Sequence, residues 1–453
     1  MFPADEQPFL AAIVARPADD EPRLVYADYL DETGVPRDAA RAELIRVQIA
    51  LHRLPGEDRR RATLAERENE LLESHRPAWT APLARLGAKF QFRRGLPDSV
   101  ALDSAVFLAH GEELFDNTPV QPGRSFIAQV RLSDAARVLP ALVACPLLNQ
   151  IEELDLANCD LGNGGAALLV TSAFLKNVRA LELGQNRLGD SGAISLARAA
   201  TLPKLTALVL NDNAVGSDGV AALAESPFLA ALLELDLSGN EVNEAGVRAL
   251  VRGSAMHRLR RLRIADNPIR DGIADLANSA LFERMTGTDS HLDLSHCGIE
   301  PSSAAALGTA RALHGIEYLD LNENYIGDSG IAALLSFGNL AGLRTLRLVR
   351  NQIADVGAAA LLSAKLPQLE HLDLSSNRLS HRGVELVKAA AQARNFTVVT
   401  TNNGTETMAA LPPRPAARAE LDQVVELRRG LTYPARPGVD RLEPVSAPEP
   451  RGG

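Results

Sequence analysis

The feature that most constrains this chain is an eleven-residue pattern that recurs nine times between residues 151 and 379. With small departures it follows L-x-x-L-x-L-x-x-[NC]-x-[LIV], and successive copies lie 26, 27 or 30 residues apart. The ninth position of the copies is occupied by Cys159, Asn186, Asn213, Asn240, Asn267, Cys297, Asn324, Asn351 and Asn377. Such a short period predicts an array of stacked, similar units, because no single unit can bury its own apolar face.

Each unit is predicted to contain a strand, a turn and a helix. The L-x-L pair indicates a short strand whose alternate side chains enter the core. The Asn or Cys is expected to be buried and to hydrogen-bond backbone groups where the chain leaves the strand. Six copies have a helix N-cap residue four positions later: Asn163, Asp190, Ser217, Asp271, Asp328 and Asp355. Seven copies have a glycine six positions later. Stacked units then form a parallel sheet with helices outside it.

Residues 135–403 resemble leucine-rich repeats of the ribonuclease-inhibitor type, which have a full helix in every repeat. The resemblance implies an α/β solenoid, a horseshoe with the parallel β-sheet inside and the helices outside. About nine full repeats are expected, with a degenerate first strand at 127–132 and a truncated last strand at 396–401. Segments 90–92, 99–102 and 105–114 predict a strand–helix cap, since a solenoid needs its ends covered. The family serves mostly in protein binding.

Residues 1–76 do not repeat, and they predict a small all-α domain before the solenoid. Helices are expected at 9–16, from the acidic turn at 19–22 to Gly34, onward to about Leu54, and at 59–74. The predicted domains are a helical domain at 1–78, the N-terminal cap of the solenoid at 79–126 and the repeats at 127–403. The Pro-rich segment 404–453 is predicted to be a disordered tail.

Residues 9–51 resemble the bacterial repeat-companion domain. Its D-D-x-P-R-L-V-Y-A-D-[WY]-L-x-E-x-G core corresponds to Asp19–Gly34, and its R-A-E-[FL]-I-R-[LV]-Q element corresponds to Arg41–Gln48. Tyr29 stands where the family more often has Trp. The resemblance implies a module that precedes repeat arrays in bacteria and that has no established activity. Its tyrosines, Tyr26 and Tyr29, are expected to pack against the third helix.

Composition narrows the classes of function. The 453 residues carry 47 Lys and Arg against 57 Asp and Glu, a net charge of −10, which argues against nucleic-acid binding. Three cysteines cannot form a disulfide framework and fit a reducing compartment. The sequence shows no secretory signal and no apolar run of membrane-spanning length, so a cytoplasmic protein without membrane association is expected. A monomer is expected as well.

Candidate binding residues follow from the strand register. The residue four before each Asn or Cys should face the concave side of the sheet. Flanking positions add Arg261, His291, Tyr318, Glu323, Arg350 and His371. The predicted partner-binding set is Asp155, Glu182, Asp236, Arg261, Arg263, Asp293, Tyr318, Asp320, Arg347, Arg350, His371 and Asp373. These charges form either a solvated ion-pair ladder of small net stability or a recognition surface for a polar or basic partner protein. Tyr318, Arg347 and Arg350 are the favoured anchors, because Tyr and Arg dominate interface energetics.

No catalytic residue, metal site or cofactor is predicted. The segment His291–Cys297 contains ligand-type side chains, but the repeat register explains them as an ordinary strand. The acidic residues at 19–32 are better explained by helix capping and a solvated face than by a cation site. The sequence therefore favours a non-enzymatic interaction scaffold. The alternatives are an enzyme inhibitor, a small-GTPase regulator that uses Arg187, Arg270 or Arg378, and, less favoured, an enzyme centred on the companion module.

Overall fold

A computed structural model describes residues 4–16, 19–54, 58, 60–116, 119–121, 124–281, 285 and 290–403. The predicted tail at 404–453 lies outside these residues. So do residues 286–289, in the one repeat that is 30 residues long. The described chain divides into two compact units. The first comprises the residues up to Cys159 together with Ser172–Leu181, and the second comprises Asp160–Thr171 and the residues from Glu182 onward.

The first unit begins with four helices, which confirms the predicted helical region. They are α1 (Gln7–Ala15), α2 (Glu21–Glu32), α3 (Pro36–Arg53) and α4 (Arg60–Thr80). Helix α2 begins at the predicted acidic turn, and Gly34 follows its end with a left-handed φ of 70°. Helix α4 continues six residues beyond the predicted end because its last turn buries Trp79 under the guanidinium of Arg41.

The helical region has an apolar core that includes Leu10, Ile13, Tyr26 and Ile45. The Tyr26 hydroxyl donates to the buried Glu6 carboxylate at 2.6 Å, so Tyr26 is a core residue, as expected. The ring of Tyr29 stacks on Phe9 of α1 at 4.5 Å and packs against the same core cluster, which includes Ile45 and Ile49 of α3. The acidic residues of α2 are ion-paired to arginines, as in the contacts of Asp28 and Asp31 with Arg46.

The rest of the first unit contains strands and short helices. Strands β1 (Lys89–Arg93) and β2 (Leu96–Asp103) form an antiparallel hairpin, and α5 (Ser104–Asp116) follows, as the predicted cap requires. After β3 (Pro119–Gln121) and β4 (Arg124–Ser125) come β5 (Gln129–Ser133), α6 (Leu139–Val143) and β6 (Glu153–Asp155). Strand β5 lies parallel between β2 and β6, at the position of the predicted degenerate first strand.

The second unit alternates helices and three-residue strands. Strand β7 (Ala180–Glu182) spans the division between the units. The helices are α7 (Gly162–Leu169), α8 (Gly189–Ala197), α9 (Ser217–Glu225), α10 (Glu244–Arg252), α11 (Gly272–Ala277), α12 (Pro301–Thr309), α13 (Gly327–Leu335), α14 (Asp355–Ser363) and α15 (His381–Arg394). The strands are β8 (Ala207–Val209), β9 (Glu234–Asp236), β10 (Arg261–Arg263), β11 (His291–Asp293), β12 (Tyr318–Asp320), β13 (Thr345–Arg347), β14 (His371–Asp373) and β15 (Thr397–Val399).

Strands β8 to β15 pair in parallel in chain order, and each helix from α7 to α15 contacts the next. The repeat leucines, such as Leu208, Leu210 and Leu223, are fully buried in the layer between strands and helices. The predicted α/β solenoid with a parallel sheet, preceded by a helical region, is therefore the fold of this protein. Among the described helices, none has the length and apolarity that crossing a membrane requires.

The buried Asn column joins consecutive repeats. The Oδ1 atom of Asn213 accepts the backbone N–H groups of Asn186 at 2.9 Å and Leu188 at 3.3 Å in the preceding repeat. Its Nδ2 group donates to the carbonyl oxygens of Leu183 and of Leu210. The predicted role of the Asn, which is to satisfy backbone groups at the turn, is confirmed.

Cysteine replaces Asn in two repeats and supplies part of the same network. The thiol of Cys159 donates to the carbonyl of Leu132 at 3.0 Å, and the thiol of Cys297 donates to that of Ile264 at 3.3 Å. Both cysteines are buried and unoxidised. Burial raises the pKa of the Cys159 thiol to about 11, so this side chain serves as a neutral donor.

Asp271 occupies the predicted N-cap position of α11, but Asp190 and Asp328 differ from the prediction. Asp190 lies in the first turn of its own helix, α8, and its Oδ1 atom accepts the N–H groups of Gly216 at 2.7 Å and Gly219 at 2.9 Å, at the start of α9. Asp328 makes the same contacts with the next helix, including one with Gly357 at 2.9 Å. The aspartate therefore caps the helix of the following repeat.

The same contact explains the repeated glycine. A Cβ atom on Gly219 would lie 2.7 Å from Oδ1 of Asp190, and one on Gly357 would lie 2.5 Å from Oδ1 of Asp328. The glycine allows the helix backbone to approach the carboxylate of the preceding repeat.

Candidate functional site: the sheet face

The candidate site is the face of strands β9 to β14 that the first and third residues of each strand occupy; we call it the sheet face. The central residue of each of these strands is a buried leucine: Leu235, Leu262, Leu292, Leu319, Leu346 and Leu372. Since side chains alternate along a strand, the flanking positions lie on the opposite face. The parallel register then brings equivalent positions of neighbouring strands side by side.

Aspartates occupy the third position of four of these strands, and they are buried: Asp236, Asp293, Asp320 and Asp373. Each Oδ1 atom accepts the backbone N–H two residues further on, as in the 3.0 Å bond from Asn322 to Asp320. These Asx turns redirect the chain as it leaves the strand. These aspartates are therefore desolvated and bonded to the backbone, so any ion pairs that they form are not fully solvated.

Two arginines lie beside the first aspartate. Arg263 Nη1 lies 3.1 Å from Glu234 and 3.6 Å from Asp236, and Arg261 Nη1 lies 3.4 Å from Glu234. The carboxylates of Glu234 and Asp236 are almost fully covered, and the side chain of Arg263 is mostly covered as well. This cluster is a preorganised network with little solvent access, and such contacts hold the arginines in fixed rotamers.

An aromatic pair lies in the middle of the sheet face. The rings of His291 and Tyr318 stack, with centroids 4.0 Å apart and planes 9° from parallel. The Tyr318 hydroxyl accepts a hydrogen bond of 3.3 Å from Arg347 Nη1, which also lies 3.4 Å from Asp320 Oδ2. Tyr318, His291 and Arg347 are each half-buried. The pair therefore presents rigid aromatic surface between charged groups.

Burial and neighbouring charge change the protonation of this cluster. Burial, reinforced by the carboxylate of Asp293, raises the pKa of Asp320 to about 7. Burial likewise raises the pKa of Asp293. Desolvation and the positive charges of Arg263 and Arg261 hold the pKa of His291 well below its usual range, so its ring is neutral at pH 7.

The structure brings most of the predicted residues together on the sheet face. Asp236, Arg261, Arg263, Asp293, Tyr318, Asp320, Arg347, His371 and Asp373 occupy strands β9 to β14. Three predicted residues lie elsewhere. Asp155 ends β6 in the first unit, where it is 3.5 Å from Arg131, and Glu182 ends β7. Arg350 is in the turn after β13, half exposed and 3.3 Å from Glu323.

The predicted partner-binding set does not include Glu234, and it does not include His291 although His291 is one of the flanking positions. Glu234 neutralises both arginines of β10, and His291 forms half of the aromatic pair. The signal that could have found Glu234 is its first position in β9, which is equivalent to that of Arg261 in β10. Its role in the network depends on burial, which the sequence does not display.

The ligand-type residues of 291–297 lie in separate surroundings. Asp293 accepts from the Ser295 hydroxyl at 2.7 Å, His296 contacts Asp266, and Cys297 is buried in the repeat position. Strand β11 is an ordinary strand of the sheet, as predicted. Within the described parts of the chain, no three His, Cys, Asp or Glu residues are grouped as a metal site would require.

The raised pKa of Asp320 predicts a pH-dependent stability. Between pH 3.8 and about pH 7 the Asp320 carboxyl is protonated in the folded state but ionised in the unfolded state. The free energy of unfolding therefore falls as pH rises through this window. The lowered pKa of His291 acts in the opposite direction below about pH 6.5. We therefore expect the free energy of unfolding of Asp320→Asn, relative to that of wild type, to increase by about 2 to 4 kcal/mol between pH 4 and pH 8.

Urea unfolding of both proteins at several pH values measures this difference. Glu385→Gln, on the exposed side of α15, is the matched control and should follow wild type at every pH. A constant difference between Asp320→Asn and wild type would contradict the prediction.

The segments of this chain that match models of known protein families coincide with repeats of the solenoid. A family model described as Leucine Rich repeat matches residues 149–170, 175–197, 201–224, 231–251, 290–308, 315–335 and 343–362, and a second, described as Leucine Rich Repeat, matches 368–388. No curated protein matches the sequence. The repeat around Asn267 lies outside the matched segments, although its side chain makes the usual contacts with the preceding repeat.

Solved structures are similar at low sequence identity. The internalin InlF of Listeria monocytogenes is 17% identical, with a TM-score of 0.38 over 62% of this chain and 68% of its own. The yeast Rad7–Elc1 complex is 14% identical, with a TM-score of 0.32 over 80% of this chain and 96% of its own. TLR13 in complex with ssRNA13 is 19% identical, with a TM-score of 0.38 over 64% of this chain and 43% of its own.

The fold and the sheet face define a class: a solenoid of strand–helix repeats with a row of buried and half-buried polar side chains on one face of its sheet. The eight matched segments name the repeat. Between residues 149 and 388 this chain contains leucine-rich repeats.

Proposed function

We propose that this protein is a non-enzymatic interaction scaffold that binds a protein partner on the sheet face. The observation that carries the proposal is the preorganised cluster of His291, Tyr318 and Arg347. These are rigid, half-buried side chains held by stacking and hydrogen bonds on strands that cannot move independently. Aromatic and arginine anchors of this kind lose little conformational entropy on binding and are enriched at interface hot spots.

The size of the sheet face favours a protein over a small ligand. Six strands at a spacing of about 4.8 Å extend over roughly 24 Å. A row of that length matches a segment of polypeptide, whereas small-molecule sites are enclosed, mostly apolar pockets. In solenoid proteins such sheets form extended binding surfaces, and the proposal places the partner on the concave side.

We extend the proposal to the finer architecture. The helix of eight or nine residues in most repeats supports the ribonuclease-inhibitor type. The proposed organisation is a repeat-companion domain at 1–78, a cap at 79–126, repeats at 127–403 and a tail at 404–453. Three buried free cysteines support a reducing, cytoplasmic setting in a bacterium. We propose a monomer and no cofactor.

Site-specific crosslinking tests the binding face. Thr345 lies on the sheet face beside Tyr318 and His371, whereas Val356 is 72% exposed on α14. A photoreactive phenylalanine analogue at residue 345 should capture one protein from native cells. The Tyr318→Ala/Arg347→Ala variant should lose that product. Capture of the same protein only from position 356 would contradict the proposed face.

A further inference from the structure

The charges on the sheet face do not balance. The third positions of β9 to β14 are, in order, Asp236, Arg263, Asp293, Asp320, Arg347 and Asp373. Adding the first positions, strands β9 to β14 hold five carboxylates and three guanidinium groups. Two aspartates, Asp293 and Asp320, are direct neighbours in register with no arginine strand between them.

Asp293 has one carboxylate oxygen that nothing in the described chain satisfies. It is 4% exposed, and its Oδ1 atom accepts from the backbone N–H and the hydroxyl of Ser295 at 3.0 and 2.7 Å. Among the described residues, no hydrogen bond or ion pair reaches Oδ2. The nearest arginine strand is β10, where the head group of Arg263 contacts Glu234 and Asp236 directly and acts on Asp293 only through its charge. Asp293 and Asp320 therefore repel each other when both are ionised, and a cation beside them would stabilise the ionised pair.

The aromatic pair lies beside these two carboxylates. His291 and Tyr318 are the first residues of the same two strands that end in Asp293 and Asp320. The His291 ring is neutral and so does not supply the missing positive charge. Stacked rings next to carboxylates suit a long side chain with an apolar stem and a cationic end, through stem packing and cation–π attraction.

We infer that His291, Tyr318, Asp293 and Asp320 form a seat for an arginine or lysine side chain of the protein partner. This inference rests on the proposed function and specifies the chemistry of the partner. The excess negative charge of the sheet face is complementary to such a group and would disfavour an acidic segment.

Selection of random dodecapeptides displayed on phage against the full chain tests the inference. We expect the enriched peptides to share one Arg or Lys position. Replacing that residue by Gln should weaken binding more than tenfold, and so should Asp293→Asn, which retains the oxygen that accepts from Ser295. The two changes together should cost little more than either alone, because they remove the same contact. Glu385→Gln is the control and should leave affinity unchanged.

The other outcomes distinguish the possible failures. Peptides without a shared basic residue that still crosslink from position 345 would overturn the inference and leave the proposed function standing. Peptides that bind only near Val356 would overturn both. Titration with calcium chloride that shows binding lost in Asp293→Asn would replace the partner side chain with a metal ion. A concentration-dependent dimer in sedimentation, lost in the same variant, would identify the occupant as a second copy of this chain.

Discussion

Asn213→Ala is expected to destabilise the solenoid more than most single substitutions do. The variant removes the acceptor for two N–H groups of the preceding repeat and the donor for the carbonyls of Leu183, Leu210 and Asn211. These groups are in a dry layer, where each unsatisfied partner costs about 1 to 3 kcal/mol. After local relaxation we expect a loss of about 4 kcal/mol in the free energy of unfolding, measured by urea denaturation followed by circular dichroism.

The chain supplies its own control for this prediction. Asn213→Cys copies the residue that stands at Cys159 and Cys297, where the thiol still donates to a carbonyl of the preceding repeat. It should lose about half as much stability as the alanine variant. Equal losses for the two variants would contradict this prediction, because they would show that a thiol donor restores none of the lost hydrogen bonding.

Gly95→Ala is expected to separate helix α3 from the β1–β2 hairpin. A Cβ atom on Gly95 would lie 2.0 Å from Cγ1 of Ile45, and the backbone there has a left-handed φ of 83°. The N–H of Gly95 also donates to Oε1 of the buried Gln48 at 2.6 Å, so the backbone cannot move away without breaking that bond. Overpacking and backbone strain together should cost about 3 to 5 kcal/mol, measured by thermal unfolding.

Gly87→Ala isolates the backbone part of this effect. Gly87 has a similar left-handed φ of 64°, but a Cβ atom there would meet no atom within 4 Å. We expect a loss of about 1 kcal/mol for this variant. If Gly95→Ala were no worse than Gly87→Ala, the close packing of Ile45 on the hairpin turn would not contribute to stability.

The Arg41–Gln48 segment shows what a sequence resemblance leaves open. The sequence shows the residues of the motif, and their periodicity predicts that they lie on a helix. The structure adds the contacts: Arg41 lies over Trp79, Ile45 packs on Gly95, and Gln48 also donates to the carbonyl of Phe92 at 2.8 Å. These partners are 38 to 50 residues away in the chain, and no local pattern in the sequence pairs them.

The helix caps illustrate the same limit within a repeat. The aspartate four residues after the Asn was correctly singled out as a capping side chain. Its target was wrong, because the stacked repeats place the start of the next helix closer to the carboxylate than the start of its own. Local propensity identifies a residue that can cap, whereas packing decides which helix it caps.

The sequence by itself determined the solenoid, its repeat boundaries and the row of residues on one face of the sheet. It could do so because a two-residue strand period and a fixed repeat length dictate which side chains point the same way. The tertiary structure decided which of those charges are buried, paired or left over. Desolvation of Asp293 and Asp320, and the stacking of His291 on Tyr318, exist only when neighbouring strands are at hydrogen-bonding distance. Electrostatics in a dry layer depends on distances across the sheet, which a linear pattern does not contain.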